Sequence, residues 1–432
     1  MKIKPVAILA LALILSPAPA RAAGFRLVEQ DNAGQGQAHA ITASVNDAAA
    51  VYYNPAAMVD AASYAAKAGF QFVDPKNQYS GPLRSFETAN ETFAVPHLYV
   101  MKNFGESGWA VGLGAFANFG TGTNWSMYDT FNYEATNTKL TSSTINLNAA
   151  KRISDTISVA VGVDYLKADV IYDSMYPFGP ALSASLPDGY LNVKGDGGAF
   201  GFNVAALVKP SANLRIGVSY RSRVTVKLSG DAVIQNFPGV LRPLLAANGE
   251  AGDDWASGVE ADLALPDMLQ VGLAYQATER LVVEFDADYT GWSSLDKLEF
   301  KFSKPLAIPS SGAALLPATR VKTFDWKNVV ALRLGAAYQY SEALTLRCGA
   351  YHDPSPVPEE TFTPRLPDAD RRLASLGFSY RAADNFTIDA AYSYLWTDTR
   401  SVDNTVGAPF VTVDGDYKST TNIFGASVGY KF

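Results

Sequence analysis

The chain closes on Phe424-Gly425-Ala426-Ser427-Val428-Gly429-Tyr430-Lys431-Phe432. Phe424, Ala426, Val428, Tyr430 and Phe432 are apolar. Gly425, Ser427, Gly429 and Lys431, set between them, are small or polar. Successive side chains of a strand point to opposite faces, so this stretch reads as a β-strand with one apolar side ending in an aromatic ring. A strand of a soluble sandwich alternates in the same way, so the fold is decided by what accompanies this one.

The same period recurs upstream. In residues 281–289, Leu281, Val283, Phe285, Ala287 and Tyr289 alternate with Val282, Glu284, Asp286 and Asp288. In residues 386–396, Phe386, Ile388, Ala390, Tyr392, Tyr394 and Trp396 share one face. Three features separate a membrane barrel from a sandwich. Many strands run to ten residues or more, and a tilted crossing strand requires about 9–11. Rings gather at strand ends (Tyr220, Tyr275, Tyr289, Tyr338, Tyr380, Tyr430), as in the girdles at membrane interfaces. Connections alternate between short and long. Short turns fall near residues 103–108, 153–156, 210–213, 277–280, 341–343 and 382–385. Long loops fall near 75–91, 120–137, 174–192, 230–257, 296–320, 354–369 and 399–417. Short periplasmic turns and long outer loops are the barrel pattern. Six short turns, with both chain ends on the periplasmic side, predict an all-β transmembrane barrel of about 14 antiparallel strands. Residues 424–432 would be the last strand, closing on a first strand near residues 64–73. The terminal Phe432 resembles the signal read by the barrel-assembly machinery, an expected partner in biogenesis. Outer-membrane lipid and lipopolysaccharide are the expected surroundings of a monomeric barrel.

The other end of the chain agrees. Lys2 and Lys4 precede an apolar run over residues 6–15, and Ala20-Arg21-Ala22 fits a small-x-small cleavage site. This reads as a signal peptide over residues 1–22, cleaved on export to the bacterial outer membrane. No later stretch is apolar enough for a spanning helix. At 48% hydrophobic and 18% charged, with 22 Tyr and 23 Phe, the chain suits aromatic-rich strands better than a soluble helical protein. A net charge of −7 argues against nucleic acid. The single Cys348 excludes an internal disulfide and alternates with Leu346 and Ala350, as a lipid-facing residue would. His39, His97 and His352 are scattered and match no metal spacing. No phosphate loop or nucleophile elbow appears, so neither an enzyme nor a cofactor or metal site is expected.

Residues 23–62 do not alternate. Asn46 or Asp47 can cap a short helix over residues 48–53, Asn54-Pro55 stops it, and Pro55 can open a further turn through Met58. The segment is either a disordered leader or a plug within the lumen. The inward-facing Arg215, Arg221, Arg333, Arg347, Glu284, Asp286 and Asp288 favour a plug, although open porins also have polar walls.

Gly24-Phe25-Arg26-Leu27, Glu29-Gln30, Gly34-Gln35-Gly36 and Asn54-Pro55-Ala56 together resemble the opening of the FadL family of outer-membrane transporters. Ala117-Asn118-Phe119-Gly120, Leu265-Pro266-Asp267, Tyr289-Thr290-Gly291-Trp292-Ser293, residues 353–358 and residues 366–371 extend the resemblance in order down the chain. It implies a 14-stranded barrel over residues 63–432 plugged by a helical N-terminal hatch over residues 23–62. It implies passive transport of a hydrophobic ligand, a long-chain fatty acid first of all. Ligand would be captured in apolar outer loops, gated by Phe25, Asn54, Pro55 and Ala56, and released sideways at a kink in the third strand, residues 109–119, near Phe119 and Gly120. Uptake of monoaromatic or alkane hydrocarbons by the same route is the alternative. A general porin, an outer-membrane lipase and an adhesin are weaker rivals.

The residues themselves supply part of such a route. Phe237, Leu241, Leu244 and Leu245 in the fourth loop, with Phe178 and Leu182 in the third, are apolar side chains placed where loops meet water. They must bury against ligand or against one another, and both readings stay open. A carboxylate cargo would want a cation. By resemblance the expected ligand-binding cations are Lys167 and Lys322, although Lys167 stands where the family pattern calls for Arg.

Overall fold

In the computed structural model, residues 24–178, 186–308, 311–312, 314–407 and 411–432 are described; the expected signal peptide and Leu182 lie outside them. Fourteen antiparallel strands close into one barrel: β1 (Tyr64–Ser80), β2 (Phe93–Asn103), β3 (Trp109–Phe116, resuming at Gly120–Asn124), β4 (Asn137–Arg152), β5 (Ile157–Tyr172), β6 (Gly189–Ser211), β7 (Leu214–Arg221, then Val224–Gln235), β8 (Trp255–Leu265, then Met268–Thr278), β9 (Leu281–Thr290, then Lys297–Phe302), β10 (Thr319–Thr323, then Val329–Gln339), β11 (Leu344–Asp353), β12 (Arg371–Ala383), β13 (Phe386–Thr397) and β14 (Gly415–Lys431). The last strand pairs with the first in unbroken register, from Ala65↔Lys431 to Ser80↔Asp416. Closure removes the exposed sheet edges that lipid would not tolerate.

The two-residue period sets the two faces. Phe424, Val428 and Tyr430 of β14, and Leu147 and Ile145 of β4, are exposed on the outer wall. Asn146 and Asn148 of β4, and Glu284, Asp286 and Asp288 of β9, are buried inside. Cys348 is exposed on the outer wall, as its alternation requires. Among the described residues no helix is long and apolar enough to cross a membrane, and the crossing is made by strands.

Residues 24–62 lie inside the barrel. Asp31 caps α1 (Asn32–Gly36) by accepting from the Gly34 N–H. The helix expected over residues 48–53 is shorter, α2 (Ala50–Tyr53), with Ala49 at its cap position. Asp47 instead accepts from the Ala49 N–H at 2.9 Å, turning the chain just ahead of it. Asn54 then caps a 3-10 turn, Pro55–Asp60, through Oδ1 to the Ala56 N–H at 3.1 Å. Val51, Tyr52, Tyr53, Met58 and their alanine neighbours form a buried cluster against Tyr99, Met101 and Phe116 of the wall. Glycine on the wall makes this approach possible: a Cβ on Gly112 would come within 2.6 Å of both Met58 and Val51.

Candidate functional site

The third strand does not run straight through. Its pairing with β4 passes from Phe116↔Thr144 to Gly120↔Thr141, so residues 117–119 oppose only Ser142 and Ser143. This is a one-residue bulge, which bends the strand that carries it. The Ser142 hydroxyl accepts from the Phe119 N–H at 3.0 Å and donates to the Phe119 carbonyl at 2.6 Å, holding the bulge in place.

The bulge opens the wall on its other edge. Ladder pairing between β2 and β3 ends at Leu98↔Ala115. Residues 93–97 of β2 stay paired with β1, from Val73↔Phe93 to Gly69↔His97, but have no ladder partner on β3. Pro96, which has no N–H to donate, sits in this unpaired run, where proline is tolerated. At the outer end the wall closes again, because the Ala89 N–H donates to the Asn124 carbonyl at 2.8 Å. The result is a window between β2 and β3. Phe93 fills part of it, packing on Gly122, where an added Cβ would lie 2.4 Å from its ring. Leu27 packs on Gly120 in the same way, at 2.9 Å.

Leu27 belongs to the N-terminal segment, which is stitched to the bulge. Arg26 and Phe119 form an antiparallel bridge, with the Leu27 N–H on the Asn118 carbonyl and the Gly120 N–H on the Phe25 carbonyl, each at 2.9 Å. Gln30 Nε2 donates to the Ala117 carbonyl. Beside this bridge the Phe25 ring meets Trp292 at 4.7 Å, Trp326 at 5.5 Å and Phe119 at 6.1 Å between centroids. Such pairs add about 0.5–1.5 kcal/mol each beyond area burial.

A cavity of about 740 Å³ surrounds the bridge and is lined from both sides of the wall. Val95 and Ser142 reach it from inside, whereas Leu98 and Ile145, 48% and 51% exposed, belong to the lipid-facing row. The cavity therefore connects the lumen to the outer wall through the window. A second pocket of about 60 Å³ lies toward the loops, lined by Leu228, Leu263, Leu295, Leu298 and Phe324. Phe25, Thr121, Lys139, Leu140 and Leu366 border both spaces, and the Phe25 ring stands between them.

Ion pairs hold the segment elsewhere. Buried Lys67 of β1 meets Asp31 at 2.6 Å, Asp47 at 2.7 Å and Asp389 of β13 at 2.9 Å. Burial pushes the Asp31 carboxyl up to about 6, against the pull of Lys67. The carboxylates of β9 meet both lumen arginines and segment backbone. Asp288 pairs with Arg333 at 2.8 Å and Arg26 at 3.3 Å. Asp286 accepts from the Thr42 N–H, and Glu284 from those of Ala43 and Ser44. Asn54 Nδ2 donates to the Thr42 carbonyl at 3.0 Å and to the Ala206 carbonyl of β6 at 3.1 Å.

The sequence-derived ligand residues lie apart from these spaces. Lys167 points outward from β5 and pairs with Asp169 at 3.5 Å and Asp196 at 3.4 Å. Position 167 is on the wrong face of its strand for an internal carboxylate, which corrects that expectation. Lys322 reaches the loops rather than either pocket, meeting Glu134 at 2.5 Å. Glu134 also accepts from the Thr363 hydroxyl at 2.8 Å. Burial alone would raise the Glu134 carboxyl, but Lys322 and Arg365 outweigh it and hold it below its ordinary value. In the fourth loop, a 3-10 turn (Gly239–Leu241) leads into α3 (Arg242–Ala247). Phe178 meets Phe237 at 4.5 Å, Leu245 is buried, and Leu241 and Leu244 pack against the same cluster. These loop side chains bury against one another, and neither pocket is lined by them.

Several residues at the site carry no distinctive sequence signal. Leu27 and Phe93 are ordinary apolar positions, and Arg365 sits in a loop. Arg365 is 3% exposed, borders the smaller pocket, stacks its guanidinium on Tyr172 and leaves Nε without a hydrogen-bond partner. The Gly120-x-Gly122 spacing just after the kink was the available hint of a strand stripped of side chains on one face.

Residues 13–432 match the family described as "Outer membrane protein transport protein (OMPP1/FadL/TodX)". The chain is 29% identical over 439 residues to the 47 kDa outer membrane protein of Pasteurella multocida, covering 98% of each. It is 27% identical over 461 residues to the long-chain fatty acid transport protein of Escherichia coli O6:H1, again covering 98% of each. Its fold is similar to that of a Pseudomonas aeruginosa FadL homologue, with a TM-score of 0.83 at 23% identity over 95% of this chain and all of the other. The Pseudomonas putida toluene transporter TodX gives 0.71 at 16% identity over 96% and 100%. This chain is an outer-membrane β-barrel and belongs to the OMPP1/FadL/TodX family, transporters of hydrophobic compounds across the outer membrane.

Proposed function

We propose that the chain carries long-chain fatty acids passively across the outer membrane, with residues 23–62 as a hatch and the β2–β3 window as a sideways exit. The observation that carries this reading is the cavity that touches Val95 inside and Leu98 and Ile145 outside. A water-filled pore gives an apolar solute no gain, because it stays in water along the whole route. A largely apolar pocket followed by an opening into lipid shields the acyl chain from water along the route, at about 25 cal/mol per Å² of apolar surface covered. Phe25 stands between the loop-side pocket and the window, as a gate would.

Two observations favour an acid over a neutral hydrocarbon. One is the naming of the Escherichia coli relative as a long-chain fatty acid transport protein. The other is Arg365, a buried cation with a free Nε at an apolar pocket, where a carboxylate would complete a charge-assisted pair. Monoaromatic and alkane cargo would need no such group.

The test is uptake by cells that lack their own transporter and express this chain. Radiolabelled oleate should enter well above background, and sugars should not swell liposomes carrying the purified protein. Entry of toluene but not oleate would transfer the reading to neutral hydrocarbons. Rapid swelling by sugars would replace it with an open porin.

A further inference from the structure

The two lips of the window differ in chemistry. On β2 the outward residues are Ala94 and Pro96 of the unpaired run and Leu98 at its lower end, all exposed and apolar. Behind the window, β4 presents the outward row Lys139, Thr141 and Ser143, all exposed and all lining the cavity. Below them the same row turns apolar at Ile145 and Leu147. Gly120 and Gly122 of β3 lie opposite Thr141 and Lys139 in register. They add no side chains of their own, so only the Phe93 and Leu27 side chains that pack over them stand between the opening and the polar row of β4.

Height places the lysine. Lys151, lower in the same row, lies over the Trp109 ring at 4.9 Å, an arrangement of the inner interface. A crossing takes about 9–11 residues, which from there ends near Thr141. Lys139 therefore stands at the outer interface, its Nζ 5.9 Å from the Phe93 ring that fills the window. The other strong cations of the cavity are engaged: Arg26 with Asp288, and Arg371 with Asp368 at 2.9 Å. Among the described residues no carboxylate lies within ion-pair distance of Lys139, although a surface lysine in water has no need of one.

We propose that Lys139, with Thr141 and Ser143, is a headgroup edge that receives the carboxylate of an anionic amphiphile leaving through the window, an inference that rests on the fatty-acid reading above. The chain of such a molecule slides over Ala94, Pro96 and Leu98 into lipid. The carboxylate cannot follow without losing its hydration, and here it steps along two hydroxyls to an ammonium at the level of the lipid headgroups. Lys139 is a binding and specificity residue for the exit; it borders the smaller pocket together with Arg365, but it is exposed on the outer face where Arg365 is buried.

The experiment compares uptake of oleate with that of oleyl alcohol, which has the same chain without the charge. It uses cells expressing wild type, Lys139→Gln or Lys139→Arg at matched levels of folded barrel. Lys139→Gln should raise the half-saturating oleate concentration about three- to fivefold, the scale of a solvated ion pair, and leave the alcohol unchanged. Lys139→Arg should retain wild-type preference. Equal loss of acid and alcohol, or no change in either, overturns the assignment while leaving the fatty-acid reading intact. Absence of oleate uptake by wild type overturns both.

Discussion

Arg26 and Phe119 face each other in an isolated antiparallel bridge, which ties the N-terminal segment to the bulge that opens the barrel wall. The flanking bonds, Leu27 N–H to Asn118 and Gly120 N–H to Phe25, belong to the same short ladder. A shift of residues 25–27 therefore changes what fills the window, since Leu27 packs on Gly120 there. Phe25 and the β2–β3 window are thus joined in one hydrogen-bonded unit.

Phe25→Ala tests the gate. It removes a ring held among Trp292, Trp326 and Phe119, a change that costs about 3–5 kcal/mol in a well-packed core. The loss falls on docking of the segment, because the barrel ladders do not include Phe25. Limited proteolysis should cut residues 24–30 faster in the variant while the barrel resists as before. Unchanged protection of that segment would deny Phe25 its anchoring role.

Asn54→Ala tests the second anchor. The cap to Ala56 is worth about 0.5–2 kcal/mol, and the bonds to the Thr42 and Ala206 carbonyls about 0.5–1.5 kcal/mol each. Amide exchange over residues 42–60 should quicken, with strand amides unaffected. Exchange spreading through the strands would mean that the segment and barrel unfold together.

The barrel was legible in the sequence because it depends on a repeating pattern. Alternation in residues 281–289 and 424–432, and six short turns, are enough to count strands. The pairing of the β9 carboxylates with the segment followed from the same alternation, which put Glu284, Asp286 and Asp288 on the lumen side. The site was less legible because it arises where the pattern breaks. The register slip of residues 117–119 against β4 depends on pairing between strands, which no single stretch encodes. Lys167 shows the limit of resemblance: the family pattern points to this position, but strand parity turns its side chain outward. Lys67, with three carboxylates from the segment and β13 around it, draws its role from residues distant in the chain.

Lys67→Met should therefore be severe. It leaves Asp31 and Asp389 buried without their cation, and breaking a buried pair from one side costs about 3–5 kcal/mol. Heat-induced release of the segment, followed by a label on residue 40, should occur well below the wild-type temperature. The double variant Lys67→Met with Asp31→Asn should recover part of the loss, and no recovery would count against the ion pair.

The loop cap should respond to acid through Glu134. Its carboxyl titrates below its ordinary value when folded, so its contribution is complete above the ordinary value of 4.5 and is lost as pH falls through the lower, folded value. In an Asp129→Asn background, which removes the neighbouring carboxyl that burial pushes up to about 6, proteolysis of residues 125–136 should be flat from neutral pH down to about the ordinary carboxylate range, then rise. Glu134→Gln should be susceptible at neutral pH. A loop that loosens above the ordinary value in that background would contradict the sign of the shift.

The most direct test of the window is to close it reversibly. The ladder from Leu98↔Ala115 points Pro96 toward Ala117 across the opening, so Pro96→Cys with Ala117→Cys, in a Cys348→Ser background, can be joined there by a short bis-thiol crosslinker that carries a reducible bond. Oleate uptake should collapse when the crosslink forms, as verified by mass, and return on reduction. Undiminished uptake through the crosslinked barrel would show that cargo leaves by another route.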